Sequence, residues 1–90
     1  MKVAVSVFGP EVILKQEIAL DGPSLPLQDL LRFMQQGDGE KWGRILKEDS
    51  GIAAGYEVLV NGRNVKSLEG METEIHEGDE IVFTVVLSGG

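Results

Sequence analysis

Residues 81–87 form an apolar segment in which Thr84 is the single polar side chain. In a strand, successive side chains point to opposite faces, so this segment would be apolar on both faces. Such a strand is typical of the middle of a sheet, where both faces are covered or paired. The segment is therefore consistent with a strand in the middle of a sheet.

A second strand pattern lies at the other end of the chain. Residues 3–8 alternate, with Val3, Val5 and Val7 on one face and the remaining three residues on the other. Gly9-Pro10 interrupts this pattern, and a less regular extended segment follows over residues 12–20. The two segments are close enough in sequence to pair as a hairpin.

Two helices are predicted after the turn Asp21-Gly22-Pro23. Pro26 suits a first helical turn, Gly37 suits a stop, and a second short helix is predicted over residues 40–49. The apolar face of the first comprises Leu27, Leu30, Leu31 and Met34; that of the second comprises Trp42, Ile45 and Leu46.

The rest of the chain returns to strands. Residues 56–60 are rich in strand-forming types, and Asn61-Gly62 is a strong tight-turn signal. Val65 would begin a short return segment, and Glu77-Gly78-Asp79 would form the turn before the last strand. Together these elements predict the α+β class, with residues 1–90 as one domain ending in a flexible Gly-Gly tail.

Composition excludes several kinds of function. The net charge of −7 disfavours binding to nucleic acid, and no apolar run approaches the length needed to cross a membrane. With no cysteine, the chain can form neither a disulfide nor a thiolate metal site. His76 has no second histidine or cysteine to complete a metal site, so we expect a solvent-facing residue. The N-terminus lacks a signal-peptide pattern, which predicts a cytoplasmic protein.

The residues Leu87-Ser88-Gly89-Gly90 place a slender backbone after the last strand. Four residues extend at most about 14 Å, enough to enter a pocket of a partner protein. Glycine lacks a Cβ atom, so its backbone can pass through a narrow channel. The reactive group of the chain would then be the terminal carboxylate itself.

Four features together resemble the ubiquitin-like sulfur-carrier family, which includes the small subunit of molybdopterin synthase and the thiamine sulfur carrier. They are Val60-Asn61-Gly62, Glu77-Gly78-Asp79-Glu80, the last strand and the final Gly-Gly. The resemblance implies a β-grasp fold, with a mixed sheet whose first and last strands are adjacent, one main helix and a second short helix.

The resemblance also implies a chemistry. An adenylating activating enzyme would consume ATP at Gly90, and a sulfur donor protein would convert that terminus to a thiocarboxylate. Gly89 and Ser88 would thread the partner's channel, and the sulfur would pass to a pterin precursor in a complex with a large synthase subunit. This chain would bind neither a cofactor nor a metal. It would act as a co-substrate or small subunit, without catalytic side chains of its own.

The chain length and the region around Trp42 are more similar to the molybdopterin synthase small subunit than to the thiamine carrier. However, Thr84-Val85-Val86 replaces the aromatic-Pro-Pro stretch of that subunit, and its first loop is reduced to Gly9-Pro10-Glu11. A thiamine-type carrier and a protein modifier joined to lysines are therefore alternatives. A noncovalent β-grasp binding module is the alternative from another class.

A partner interface is expected beside the tail. Phe83, Val85 and Leu87 alternate on one face of the last strand and could dock a partner, with Phe8 joining them from a neighbouring strand. The competing interpretation is that this face packs into the core. The acidic stretch over residues 69–80 could steer a basic activating enzyme, or could simply be a solvated edge.

Overall fold

The computed structural model describes residues 1–10 and 13–86. Its elements are β1 (Lys2–Phe8), β2 (Ile13–Ala19), β3 (Ser24–Pro26), α1 (Leu27–Asp38), β4 (Tyr56–Val60), β5 (Arg63–Asn64), β6 (Glu74–His76) and β7 (Glu80–Val85). Two short 3-10 helices, Val65–Ser67 and Gly70–Glu72, lie between β5 and β6. No helix within the described ranges is both long and apolar enough to cross a bilayer.

The main sheet has five strands in the order β2-β1-β7-β4-β5. β1 pairs with β2 as the expected antiparallel hairpin and with β7 in parallel, while β4 pairs antiparallel to β7. The first and last strands are therefore adjacent at the centre of the sheet. The α+β class and the central position of the last strand are confirmed.

The core lies between one face of this sheet and α1. Val3, Val5 and Val7 are buried on the inner face, together with Ile81 and Phe83 of β7. From α1 the side chains of Leu27, Leu30, Leu31 and Met34 are buried, as the helical spacing predicts. Val58 and Val60 of β4 complete the inner face.

The turn at Asn61-Gly62 has the geometry that its sequence predicts. Both residues have positive φ angles, 51° and 84°, which a two-residue turn of type I′ requires. The prediction that Val65 begins the return segment is wrong, because the return strand β5 is Arg63–Asn64 and Val65 begins a 3-10 helix. Val65 is buried there, so packing determines its conformation.

The second short helix predicted over residues 40–49 is wrong. Consecutive turns replace it, beginning with the bond from the Trp42 amide to the Asp38 carbonyl. A regular helix cannot continue to residue 49, because the Lys47 amide donates to the Gly51 carbonyl and Leu46 forms a β-bridge with Ile52. The apolar face survives without the helix: Trp42, Ile45 and Leu46 are all buried.

Smaller differences concern boundaries and one missed sheet. α1 passes through Gly37 and ends at Asp38, while Pro26 is extended and immediately precedes the helix. β3 and β6 form a separate two-stranded sheet that the sequence patterns did not predict, since each has three residues. This sheet buries Ile75 and adjoins the start of α1, where the Leu27 amide donates to Thr73.

Candidate functional site

The end of β7 is held from both sides. Phe8 of β1 lies opposite Thr84, and Tyr56 of β4 lies opposite Val85. One residue beyond the strand, the Val86 amide donates to the Gly55 carbonyl at 2.8 Å. The chain that follows Val86 therefore starts from a point fixed by the two neighbouring strands. Leu87, Ser88, Gly89 and Gly90 lie outside the described residues, so their predicted roles stay predictions.

Phe83 is fully buried and its exposed fraction is 0%. It faces the core from the centre of the sheet, where Val7 and Val58 are its neighbours on the adjacent strands. A docking partner could not reach its ring without unfolding the sheet. Phe83 therefore belongs to the core, which corrects its prediction as an interface residue. The competing interpretation, core burial of this face, holds for it.

Phe8 has the opposite orientation. It lies on the face of β1 turned away from Val3, Val5 and Val7, and 46% of it is exposed. β1 is the neighbour of β7, so Phe8 stands beside the end of the last strand, as the sequence analysis required of an interface residue.

Other apolar side chains share this outer face of the sheet. Ile13 is opposite Phe8 in the β1–β2 register and is 78% exposed. Val86 is 39% exposed, and Val82 is partly buried two positions from Thr84 on β7. We call Phe8, Ile13, Val82 and Val86 the outer patch. An exposed apolar group of this kind marks an interaction surface more often than an isolated apolar residue does.

The outer patch was only partly predicted. The same alternation that directs Val3, Val5 and Val7 inward directs Phe8 outward, and it could also have identified Val82 on β7 and Val86 just beyond it. Ile13 was missed because the second segment alternates poorly in the sequence.

A shallow groove lies next to the outer patch. Phe8, Gly9 and Pro10 form one wall, and Thr84 and Val85 form the other, around about 320 Å³. Val85 itself is partly buried on the core side of β7. The groove is at the same end of the sheet as Val86, so a partner in contact with it would lie beside the start of the tail.

A polar depression of about 630 Å³ lies away from this end, and Glu69, Glu72, Glu74 and Asp79 contribute its acidic lining. Asp79 already has a structural role, because it accepts hydrogen bonds from the Asn61 side chain at 2.9 Å and the His76 amide at 2.8 Å. Glu74 accepts from the Ser24 hydroxyl at 2.9 Å.

The side chain of His76 is 61% exposed and its Nδ1 lies 3.9 Å from Asp79. Within the described ranges, histidine, aspartate and glutamate form no group of three suited to a metal ion. Trp42 is also not an accessible anchor for a partner, since 3% of it is exposed. The candidate site is thus the end of β7 with the outer patch.

Comparison with known sequences supports a specific family. The sequence pattern of the ThiS family matches residues 5–90 of this chain. A provisionally named sulfur carrier protein of Archaeoglobus fulgidus is 33% identical over 87 residues, which cover 97% of this chain and 99% of the relative.

Solved structures share the fold. The small archaeal modifier protein 1 (SAMP1) of Methanosarcina acetivorans is 25% identical, with a TM-score of 0.62 and coverage of 99% of this chain and 96% of that protein. SAMP1 of Haloferax volcanii superposes with a TM-score of 0.72 over the whole of both chains, at 20% identity. A Pyrococcus furiosus protein, provisionally named subunit 1 of the molybdopterin converting factor, has a TM-score of 0.66, 24% identity and coverage of 96% and 98%. The fold is the ubiquitin-like β-grasp.

Proposed function

Because the chain belongs to the ThiS family of ubiquitin-like sulfur carriers, we propose that it carries sulfur on the carboxylate of Gly90, as a thiocarboxylate. The observation that carries this proposal is the family match, which extends over residues 5–90 and so includes both final glycines. The central, doubly paired position of β7 supports it, since that strand fixes the position of Val86 at one end of the sheet.

Formation of the thiocarboxylate needs prior activation. A carboxylate oxygen is a poor leaving group, so a sulfur nucleophile cannot displace it directly. We propose that an adenylating enzyme joins the Gly90 carboxylate to AMP with ATP as the source, releasing pyrophosphate. A donor protein then supplies sulfur at the oxidation level of sulfide, and AMP leaves. The enzyme, and not this chain, supplies the catalytic groups.

The contribution of this chain is presentation. We propose that Ser88, Gly89 and Gly90 enter the channel of the partner while Phe8 and the rest of the outer patch contact its surface. An exposed phenylalanine surrounded by smaller apolar groups is a plausible anchor, because aromatic residues are enriched at interface hot spots. The net charge of −7 favours encounter with a basic partner, and we propose that this takes place in the cytoplasm.

For the sulfur acceptor, we propose a pterin precursor bound to a large synthase subunit. Support comes from the chain length and the region around Trp42, which are similar to the small subunit of molybdopterin synthase, and from the name of the Pyrococcus furiosus neighbour. The second candidate is a modifier joined to lysines of other proteins. It is favoured by the 25% identity to SAMP1 of Methanosarcina acetivorans.

The intact mass of the protein tests the carrier proposal. After incubation with ATP, the activating enzyme and a sulfur donor, the mass should rise by the difference between one sulfur and one oxygen atom. A variant lacking Gly90 should show no rise, and neither should a reaction without ATP. An unchanged mass with an activating enzyme that works on its own carrier would instead support a noncovalent binding module.

A second reaction distinguishes the pterin acceptor from attachment to lysines. The thiocarboxylated protein is divided between a large synthase subunit with a pterin precursor and an extract that contains acceptor proteins. Sulfur transfer to the pterin regenerates the free carboxylate and supports the synthase subunit. Covalent attachment of this chain to lysines supports the modifier and contradicts the pterin proposal.

A further inference from the structure

β2 forms one edge of the five-stranded sheet. In the part of the chain that the structure describes, its seven residues pair with β1 and with no other strand. An edge strand of this length presents a row of backbone donors and acceptors that can pair with another strand.

The hydrogen bonds at the start of the hairpin identify which backbone groups face outward. The Leu20 amide donates to Met1 at 2.7 Å, and the Met1 amino group donates to Leu20 at 2.6 Å. This is a hydrogen-bonded pair, and in an antiparallel ladder such pairs alternate along the strand. The backbones of Ile18, Gln16 and Leu14 therefore face β1. Those of Ile13, Lys15, Glu17 and Ala19 face the open edge.

We propose that β2 pairs antiparallel with β2 of a second copy of this chain, around a two-fold axis at Gln16. In this register Lys15 lies opposite Glu17 of the second copy, and Glu17 lies opposite Lys15. Both side chains are exposed on the outer face, and opposite charges on directly facing residues stabilise strand pairs.

The charges select this register over its neighbours. Antiparallel pairing must place edge-facing residues opposite each other. Since every second residue faces the edge, the register can change only in steps of two residues. One step in one direction places Lys15 opposite Lys15, and one step in the other places Glu17 opposite Glu17. Facing like charges are destabilising, so only the proposed register is self-complementary.

Gln16 supplies an independent observation at the centre of this pairing. Its Oε1 atom is buried and accepts no hydrogen bond from the described residues. A buried acceptor without a partner costs free energy. In this register the Gln16 side chains of the two copies are neighbours on the inner face, so a change of rotamer that frees Oε1 lets each NH₂ group donate to the other Oε1.

The inner side of the edge also favours a second copy. A groove of about 330 Å³ runs between β2 and α1, and Ile18, Phe33 and Met34 contribute its apolar lining. Phe33 is 49% exposed although it lies in a helix that packs on the sheet. In the proposed register, Leu14 of the second copy lies opposite Ile18 and covers this apolar surface.

The dimer is compatible with presentation of both tails. Two five-stranded sheets join into one sheet of ten strands, and the two-fold axis places the Val86 residues at opposite ends. Glu17 also lies 3.9 Å from Lys2 of its own chain, an exposed ion pair that leaves part of its carboxylate available. Because each copy carries a net charge of −7, we expect a weak, concentration-dependent dimer.

Charge reversal tests the register. Sedimentation velocity from micromolar to millimolar protein should show a monomer–dimer equilibrium for the wild type. Lys15→Glu and Glu17→Lys should each weaken the dimer by about tenfold, because each converts two attractive pairs into two repulsive ones. The double variant should restore wild-type association, since it exchanges the two charges. Circular dichroism and thermal melts establish that each variant is folded.

The control variants distinguish the effect of the facing charge pairs on association from the effect of net charge. Lys66→Glu changes the net charge by the same amount as Lys15→Glu, far from β2, and should leave association nearly unchanged. Glu17→Lys lowers the net negative charge and should still weaken the dimer. A wild type that stays monomeric at millimolar concentration overturns the proposal. So does a double variant that associates no better than the single variants.

Amide hydrogen exchange gives a second measurement at residue resolution. In dilute protein the amides of Lys15 and Glu17 should exchange rapidly, while those of Gln16 and Ile18 are protected by β1. At high concentration Lys15 and Glu17 should also become protected. Protection that does not depend on concentration would contradict a second copy at this edge.

Discussion

Phe8 and Phe83 permit a paired experiment that separates stability from partner recognition. The two side chains belong to adjacent strands at the centre of the sheet, and Phe8 is one register position beyond the Val7–Phe83 pair. They point to opposite faces, with exposed fractions of 46% and 0%. Truncation of each to alanine removes the same atoms from two different environments.

The expected losses of stability differ severalfold. Truncation of a fully buried phenylalanine lowers the free energy of unfolding by about 3–5 kcal/mol, because it leaves a cavity in addition to the lost burial. The whole free energy of unfolding of a domain of this length is about 5–13 kcal/mol, so Phe83→Ala should leave the protein marginally folded. Complete burial of phenylalanine contributes about 1.5–3 kcal/mol, and Phe8 is about half buried, so Phe8→Ala should cost about 1 kcal/mol.

Urea unfolding followed by tryptophan fluorescence measures both losses. Trp42 is the chain's single tryptophan and is 3% exposed, so unfolding moves it from the core into water. The melting temperature should fall by about 15–30 °C for Phe83→Ala and by about 5 °C for Phe8→Ala.

The activating enzyme provides the complementary measurement. Phe8→Ala should raise the protein concentration needed for half-maximal adenylation by about tenfold, as expected for loss of an aromatic anchor. Phe83→Ala, measured at a temperature where it is folded, should change that concentration little. If Phe83→Ala is as stable as wild type, the core assignment is refuted. If Phe8→Ala is adenylated normally, the outer patch is not the docking surface.

Three further substitutions test the local structure. Gly62→Ala should destabilise by about 1 kcal/mol in urea unfolding, because φ is 84° and no other atom lies within 4 Å of the added Cβ, so backbone strain is the whole effect. Gly37→Ala should instead stabilise by about 0.5–1 kcal/mol, since it adds helix propensity at an equally open position inside α1. Asp79→Ala should cost about 1–2 kcal/mol, because it removes the acceptor for both Asn61 and His76; equal stability of this variant and wild type would contradict that role.

The sequence predicted the parts of the fold in which periodicity and turn chemistry agree. Residues 56–60 form a strand with those bounds, and Asn61-Gly62 forms the tight turn that follows it. Prediction from the sequence failed where tertiary contacts override local preference. Residues 40–49 have a helical apolar face, yet Gly43 interrupts the run and the bond from Lys47 to Gly51 draws the chain away.

The candidate site was predicted less completely than the fold. Alternation separates the two faces of each strand, but it gives neither the register between β1 and β7 nor the face that the helix covers. Phe83 was therefore assigned to the interface and lies in the core. The pairing of three-residue strands such as β6 could not be predicted either, because three residues are too few to show a periodic pattern of apolar side chains.

The alternation along β7 explains how one strand can serve both the core and recognition. Ile81 and Phe83 point inward and are fully buried, whereas Val82, Thr84 and Val86 point to the outer face. Because the inner residues line the core, the outer face, with the docking surface proposed above, can vary while the fold persists. We therefore expect that exchange of outer-patch residues between relatives transfers the proposed partner preference, with losses of stability no larger than the roughly 1 kcal/mol expected for Phe8→Ala.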